Sequence, residues 1–183
     1  NCNLSGIGFK NSILDGINFT NCNLSGTDFT NCSLMKCDFD NCDLTNTIFN
    51  GANLTGTDFN KCIMENTKLY NNLVDGSVII LTDTTFTNTS FIGIDLNGVD
   101  LNGVDFGNCN LSAVKFVKCK TFYLKSTVSI LPEGYIYTQN GRGVFILGNG
   151  VDLTDADLTN INLGSVIQSL NLSNIILTNS TLD

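Results

Sequence analysis

Large apolar residues recur every five positions along most of the chain. The series begins Leu4, Phe9, Leu14 and Phe19, and it runs without interruption to Phe59. A period of five fits neither an α-helix, which repeats every 3.6 residues, nor a β-strand, which repeats every two. The spacing therefore predicts short extended segments with a turn in every repeat.

The other positions of the five-residue unit are equally regular around the large apolar residue, which we call the centre. Two residues after the centre comes Gly or Asn, as at Gly6 and Asn11. Both types tolerate the positive φ that a type II turn requires. A small side chain such as Cys2 or Thr27 precedes the centre by two residues, and it is predicted to point inward. Asn or Asp often stands directly before the centre, where it can bond to the turn backbone.

Segments such as Ala52–Gly56 and Ala156–Asn160 resemble the A(D/N)LxX motif of the pentapeptide-repeat family, and the resemblance covers most of the chain. It implies an all-β fold, a right-handed quadrilateral β-helix with four repeats per coil and a turn at each corner. Successive coils are then expected to stack through backbone hydrogen bonds at about 4.8 Å, the usual spacing of neighbouring strands.

Leu and Phe alternate as centres from Leu4 to Phe59. With four walls per coil, Leu is predicted to stack on two opposite walls and Phe on the other two. One wall should hold Leu4, Leu24, Leu44 and Met64, and its neighbour should hold Phe9, Phe29, Phe49 and Leu69.

The repeat is interrupted twice. Val74 and Ile79 keep the phase, which then shifts by two residues before Phe86, so a phase break is predicted near 80–85. The repeat is then lost between 121 and 150. There the sequence predicts a β-hairpin, with strands at 135–138 and 144–147 around an Asn140–Gly141 turn. Its apolar residues favour a hairpin that covers the rod over one that projects from it.

The predicted organisation therefore has three parts. A solenoid spans 1–120, a non-repeat segment with the hairpin spans 121–150, and terminal coils span 151–183. The centres of these terminal coils are Leu153, Leu158, Leu163, Leu172, Leu177 and Leu182. The chain begins without Met and the repeat is running at both ends, so we expect a segment of a longer protein.

Catalytic chemistry is not indicated. The chain has no His, which removes Ser-His-Asp and Cys-His arrangements, and no Gly-Lys-Ser/Thr sequence ends a phosphate-binding loop. We therefore expect no enzyme and no cofactor.

The eight cysteines are predicted to be buried thiols at inward positions. Cys2, Cys22, Cys42 and Cys62 are spaced by twenty and should stack on one wall. Side chains stacked in register point the same way, which predicts poor disulfide geometry. No close CxxC pair suggests a metal site, so no metal is expected. The four cysteines outside this stack are Cys32, Cys37, Cys109 and Cys119.

The net charge of −8 argues against direct nucleic-acid binding, which needs clustered Lys and Arg. No apolar run approaches the roughly 20 residues of a membrane helix. Asp38 and Asp58 should share one wall, above Asn18, whereas Asp95, Asp100 and Asp105 should lie on successive walls. These carboxylates are either solvated supports of the turns or an acidic stripe that imitates DNA phosphates.

Two functions follow. The first is a non-enzymatic scaffold for unidentified protein partners, as a homo-oligomer or in a larger assembly such as a virion or surface component, inside a cell or a viral particle. Its candidate contact residues are Tyr135, Tyr137, Asn140, Arg142, Asp38, Asp58 and Asp100. The alternative comes from the family resemblance, since some members imitate B-form DNA and bind DNA gyrase, protecting it from its poisons. Those members dimerise through a C-terminal helix, whereas Ser165–Asp183 is predicted to continue the repeat.

Overall fold

The computed structural model describes residues 2–71, 75–127 and 130–161, which form a stack of four-sided coils. Parallel β-bridges join residues twenty apart, which confirms four repeats per coil. We number the walls one to four by their first centres, which are Leu4, Phe9, Leu14 and Phe19. The first bridges of the four walls, in that order, are Asn3 with Asn23, Gly8 with Asp28, Ile13 with Ser33, and Asn18 with Asp38.

The corners are built as the sequence predicts. Gly6 and Asn11 have φ of 70° and 60°, and the turn between walls one and two closes through a hydrogen bond from the Ile7 N–H to the Leu4 carbonyl. Lys36 adopts the same conformation, with φ of 56°. The backbone geometry of the coil thus persists where the sequence offers neither Gly nor Asn.

The centres fill the axis of the rod, and the predicted alternation of Leu and Phe walls is confirmed. On wall four the ring of Phe39 stacks between Phe19 and Phe59, with centroid distances of 4.8 and 4.9 Å. It also meets Phe29 of the opposite wall edge-on, at 5.9 Å. Such stacked and edge-to-face contacts add to the hydrophobic gain from burying the rings.

The inward small residues carry a second pattern, which links successive coils. Their side chains donate hydrogen bonds to the carbonyl of a centre one coil earlier. Thr47 Oγ1 donates to the Leu24 carbonyl at 2.8 Å, and Cys42 Sγ donates to the Phe19 carbonyl at 2.9 Å. A short side chain with a donor fits this slot, which explains why Thr and Cys recur there.

The phase break lies earlier than predicted. Ile80 pairs with Asn53 and Thr85 pairs with Asp58, so the segment between 80 and 85 is regular. Lys68 pairs with Ile48. Asn53 follows Ile48 by five residues, whereas Ile80 follows Lys68 by twelve, so seven extra residues precede Ile80. Seven residues equal one full repeat of five plus two. In the sequence, the insertion therefore resembles a shift of only two residues, at a later position.

This insertion also changes the role of Ile79. The next centre on wall three is Leu81, because the N–H of Leu54 bonds to the carbonyl of Ile80. Ile79 is therefore the inward residue two positions before that centre, and it is buried. The prediction that Ile79 is a centre was wrong.

One disulfide corrects the prediction for the cysteines. Cys2 and Cys22 are stacked as expected, but they are bonded to each other, with a Cα–Cα distance of 4.7 Å. That distance lies within the roughly 4.4–6.8 Å range of disulfides, so stacking in register does not prevent the bond. The six other cysteines are free and buried, as predicted.

Two regular strands form a small sheet among the described residues. Strand β1 (Ile136–Asn140) pairs antiparallel with strand β2 (Gly143–Leu147). The two-residue turn between them is Gly141–Arg142, one residue later than predicted, because Asn140 remains paired with Gly143. Strand β2 also pairs antiparallel with Leu124 through Val144, and Phe145 to Leu147 are buried in the core.

Coil stacking extends past residue 120, although the sequence repeat fades there. The N–H of Lys125 bonds to the Val104 carbonyl, and the Leu111 N–H bonds to the Ile130 carbonyl. A further coil then begins with Asp152, which pairs with Lys120. The predicted centres Leu163, Leu172, Leu177 and Leu182, and the repeat predicted for 165–183, lie outside the described residues.

Within those described ranges, no helix has the length and apolar character to cross a membrane.

Candidate interaction surfaces

Wall four carries a group of carboxylates that we call the acidic face, formed by Asp38, Asp40, Asp58 and Asp105. Inside the rod this wall is lined by the stacked rings of Phe39, Phe59, Phe86 and Phe106. Asp38 pairs with Asp58, and Asp58 and Asp105 both pair with Thr85, so these three lie on one ladder. Asp40 follows the centre of its repeat and points outward beside that ladder.

Local hydrogen bonds fix the ladder carboxylates. Oδ1 of Asp38 accepts the N–H of Asp40 at 2.9 Å, and Oδ1 of Asp105 accepts the N–H of Gly107 at 2.9 Å. Asp58 accepts the N–H of Asn60 at 3.2 Å in the same way. In each case one carboxylate oxygen accepts the N–H of the residue two positions later. This hydrogen bond fixes the orientation of the carboxylate.

The charged form of Asp58 is disfavoured on this face. Burial of the Asp58 carboxyl, followed by the charges of Asp40, Asp38 and Asp105, raises the pKa of Asp58 above its usual value. Oδ1 of Asp40 is shielded from solvent and receives no hydrogen bond from the described part of the protein. None of the ion pairs among the described residues includes a carboxylate of the acidic face.

Asp100 lies on a different wall. It belongs to the ladder of wall three, where it pairs with Lys120, and its Oδ1 accepts the N–H of Asn102 at 3.0 Å. The structure therefore brings Asp38 and Asp58 together and keeps Asp100 apart from them, which agrees with the expected walls.

Sequence reasoning missed Asp40 and Asp105 as members of the acidic face. Asp105 is 47 residues after Asp58, and it reaches the same wall only because the coil between them contains the seven-residue insertion. Because of that insertion, the sequence alone did not indicate which wall Asp105 lies on. Asp40 was recognisable, since the residue after a centre also faces outward.

Three of the four hairpin candidates attach the hairpin to the rod. The Tyr135 hydroxyl donates to the Asn149 carbonyl at 2.8 Å. Asn140 Nδ2 donates to the Asp157 carbonyl at 2.9 Å, and Arg142 Nε pairs with the Asp157 carboxylate at 2.8 Å. Half of the Tyr137 surface is exposed, and the Arg142 side chain is 65% exposed beside its ion pair, so both remain accessible from outside.

Asp157 is the anchor of this attachment. Hydrogen bonds from the Thr159 side chain and backbone, with the nearby Arg142 charge, lower the pKa of the Asp157 carboxyl. The N–H of Asp157 also donates to the Tyr123 hydroxyl at 3.0 Å. One residue of the last described coil thereby connects the hairpin turn with the coil below.

Among the described residues, no group of three or more Cys, Asp or Glu side chains could hold a metal ion.

Family models identify the repeat. A pentapeptide repeat region matches residues 1–70, and a model of eight pentapeptide repeats matches residues 79–116. The chain belongs to the pentapeptide-repeat family. Members of this family are in general non-enzymatic structural or interaction proteins. No curated protein matches the chain.

Solved structures share the fold at low sequence identity. A pentapeptide repeat protein from the thylakoid lumen of Arabidopsis thaliana is 22% identical, with a TM-score of 0.50 over 57% of this chain and 68% of its own. Trypsin-treated QnrB1, a plasmid-mediated fluoroquinolone resistance protein, is 16% identical, with a TM-score of 0.52 over 95% of this chain and 86% of its own. These likenesses support a right-handed quadrilateral β-helix.

Proposed function

We propose that the protein is a rigid scaffold that binds a basic surface of a protein partner through its acidic face. The observation that carries this proposal is the grouping of Asp38, Asp40, Asp58 and Asp105 on one wall without an ion pair among the described residues. A partner that supplies Lys or Arg side chains would relieve the repulsion between these carboxylates.

The same face disfavours nucleic acid as the partner, because its charge repels phosphate. The coils hold the carboxylates in fixed positions, so little conformational entropy is lost when a partner binds. Charge-steered binding of this kind weakens as salt screens the charges, over a Debye length of about 8 Å at physiological ionic strength.

A matched pair of triple variants tests the proposal in extracts of the source cells. The face variant carries Asp38→Asn, Asp58→Asn and Asp105→Asn. The control carries Asp95→Asn, Asp100→Asn and Asp152→Asn, which make the same bond to the N–H two residues on but belong to walls two and three. Each variant loses three carboxylate groups, so the two have the same net charge.

We expect at least one protein to be captured by the immobilised wild type and the control but not by the face variant. Capture should weaken as salt is added. If the two variants capture the same proteins as the wild type, the acidic face is not the binding surface.

We further propose that the hairpin is an insertion between the solenoid of 1–120 and the terminal coils of 151–183, and that it covers the rod. The pairing of Lys120 with Asp152 supports this, because these two residues stack on wall three although the hairpin separates them in the sequence. Tyr137 would then be a secondary contact, and Tyr137→Ala should weaken capture without lowering the melting temperature.

A narrower alternative is a DNA mimic that binds a type II topoisomerase such as DNA gyrase. It is favoured by the acidic stripe and by a fold resembling that of the resistance protein QnrB1 along most of the chain. A supercoiling assay with purified gyrase tests it. Inhibition by the wild type and the control, but not by the face variant, would support the mimic, and no inhibition at high concentration would exclude it for that enzyme. Neither the fold nor the matched proteins point to a virus particle, and we do not propose that setting.

A further inference from the structure

Four cysteines form one column on the inside of the rod, between walls four and one. Cys2, Cys22, Cys42 and Cys62 occupy the same inward position in four successive coils. The residue after each upper cysteine donates its N–H to the carbonyl of the cysteine below. The three bonds run from Asn23 to Cys2 at 2.9 Å, from Asp43 to Cys22 at 3.2 Å, and from Ile63 to Cys42 at 3.1 Å.

This repeated bond means that the three steps of the column share one backbone arrangement. The first step already holds a disulfide, between Cys2 and Cys22 at a Cα–Cα distance of 4.7 Å. A Cys22–Cys42 disulfide therefore requires no displacement of the coils. The other free thiols differ, because no cysteine stands one coil away from them. Cys32, for example, lies between Ser12 and Ala52.

We propose that this column is a disulfide-exchange site. The thiolate of Cys42 attacks the sulfur of Cys22, a Cys22–Cys42 bond forms, the Cys2–Cys22 bond breaks, and Cys2 leaves as a thiolate. One disulfide is exchanged for another, so no external oxidant is needed. The column places Cys42 one coil above Cys22, on the side opposite to Cys2, so Cys42 can reach Cys22 from the side away from the leaving Cys2.

The exchange replaces a buried thiol by an accessible one. The Cys42 side chain is buried and donates its S–H to the Phe19 carbonyl, whereas Cys2 is exposed. The freed Cys2 thiolate can then attack a small disulfide such as oxidised glutathione, which forms a mixed disulfide on Cys2 and releases one reduced glutathione. Burial raises the pKa of Cys42 to about 11, and only the thiolate attacks, so the exchange is slow at neutral pH and accelerates as pH rises.

Tryptic mapping can follow the exchange directly. Cleavage after Lys10, Lys36, Lys61 and Lys68 places the four cysteines of the column in four different peptides, 1–10, 11–36, 37–61 and 62–68. The folded, oxidised chain is incubated with iodoacetamide at pH 7 and at pH 9 and then digested without reduction. Fragmentation spectra separate Cys22 from Cys32 and Cys42 from Cys37.

We expect the link between peptides 1–10 and 11–36 to be replaced by a link between 11–36 and 37–61, with iodoacetamide on Cys2. The rate should rise about a hundredfold from pH 7 to pH 9, in proportion to the thiolate fraction of a group whose pKa lies above both values. The Cys62→Thr variant should exchange at the wild-type rate.

The Cys42→Thr variant is the matched control. It keeps a side-chain donor for the Phe19 carbonyl, and Thr already occupies the same column at Thr89, which donates to the Phe59 carbonyl. This variant should keep the Cys2–Cys22 link and leave Cys2 unlabelled. Retention of the original link in the wild type at pH 9 would overturn the proposal. So would equal movement of the link to Cys32, Cys37, Cys109 or Cys119, since that pattern indicates exchange through unfolding.

Discussion

At the scale of single residues, the inward slot selects for side chains that are both small and able to donate. The carbonyl that each one reaches also accepts the N–H that closes a turn. The Leu54 carbonyl, for example, accepts the Thr57 N–H at 3.0 Å and the Thr84 hydroxyl at 2.8 Å. The side chain thereby connects the corner of one coil to the wall of the next.

Thr84→Val tests this link. Val has nearly the same shape but no donor, so the buried carbonyl loses a hydrogen bond and the free energy of unfolding should fall by about 1 kcal/mol. Thr82→Val, two residues away on the exposed side, is the control and should change it by less than about 0.5 kcal/mol. Urea denaturation measures both, and equal effects would show that the hydroxyl of Thr84 contributes nothing specific.

At the scale of elements, wall four concentrates charge at a cost in stability. The pKa of Asp58 is raised in the folded state by burial and by its acidic neighbours. The folded protein therefore holds this proton more tightly than the unfolded chain does. Stability from this group is present at low pH and is lost as pH rises through the folded pKa, in the acid range above 3.8.

Asp58→Asn should consequently raise the melting temperature at pH 7 and have no such benefit at pH 3, where the wild-type carboxyl is protonated. The lost acceptor for Asn60 Nδ2, which bonds to Asp58 at 3.0 Å, offsets part of the gain. Asp100→Asn serves as the control because Asp100 lies outside the acidic face, and it should give no increase at either pH. A gain of equal size at pH 3 would contradict the electrostatic explanation.

The hairpin is the element that departs most from the repeat, and its packing against the coils depends on Gly148. A Cβ on Gly148 would overlap the ring of Tyr135. That ring packs on Phe116, at a centroid distance of 5.6 Å. Any side chain at 148 would therefore displace Tyr135 and loosen β1 from the coil beneath it.

We expect Gly148→Ala to destabilise the protein by about 1–3 kcal/mol, as overpacking of a core does, and to speed tryptic cleavage after Arg142. The control is Gly141→Ala, in the hairpin turn, where a Cβ meets nothing within 4 Å. This variant should leave the stability and the rate of tryptic cleavage after Arg142 nearly unchanged. Adding Tyr135→Leu to Gly148→Ala should restore part of the lost stability, and failure to do so would place the clash elsewhere.

At the scale of the whole molecule, each coil contacts only the coils above and below, as in other solenoids. A centre in the middle of the rod has partners on both sides, whereas one in the first described coil has partners on one side. Phe39 stacks on two rings of its own wall, whereas among the described residues Phe9 stacks on Phe29 alone, at 5.3 Å. Position along the rod should therefore govern the effect of a substitution.

Phe39→Ala should destabilise the protein by about 3–5 kcal/mol, the usual cost of removing a fully buried ring. Phe9→Ala should cost clearly less, since Phe9 is only partly buried. Guanidinium denaturation gives the energies, and hydrogen exchange shows where protection is lost. Equal costs at the two positions would mean that the first coil is as well packed as the middle of the rod.

The five-residue period was sufficient to determine the repeat, its corners, the stacked Leu and Phe walls and the burial of most cysteines. Each of these follows from a residue type at a fixed place in the unit, such as Asn11 at a corner or Phe39 on the axis. Asp38 and Asp58 were placed together for the same reason, since their spacing of twenty is one coil.

Tertiary structure alone decided which residues meet across an interruption of the repeat. The period of five conceals an insertion of seven, so the register that brings Asp105 above Asp58 depends on where the chain rejoins the stack. The Cys2–Cys22 bond depends on a distance of 4.7 Å that the pattern does not contain. Three of the four hairpin candidates bond to Asp157 or Asn149, which the sequence did not predict, because non-repeat segments are positioned by contacts that sequence periodicity does not record.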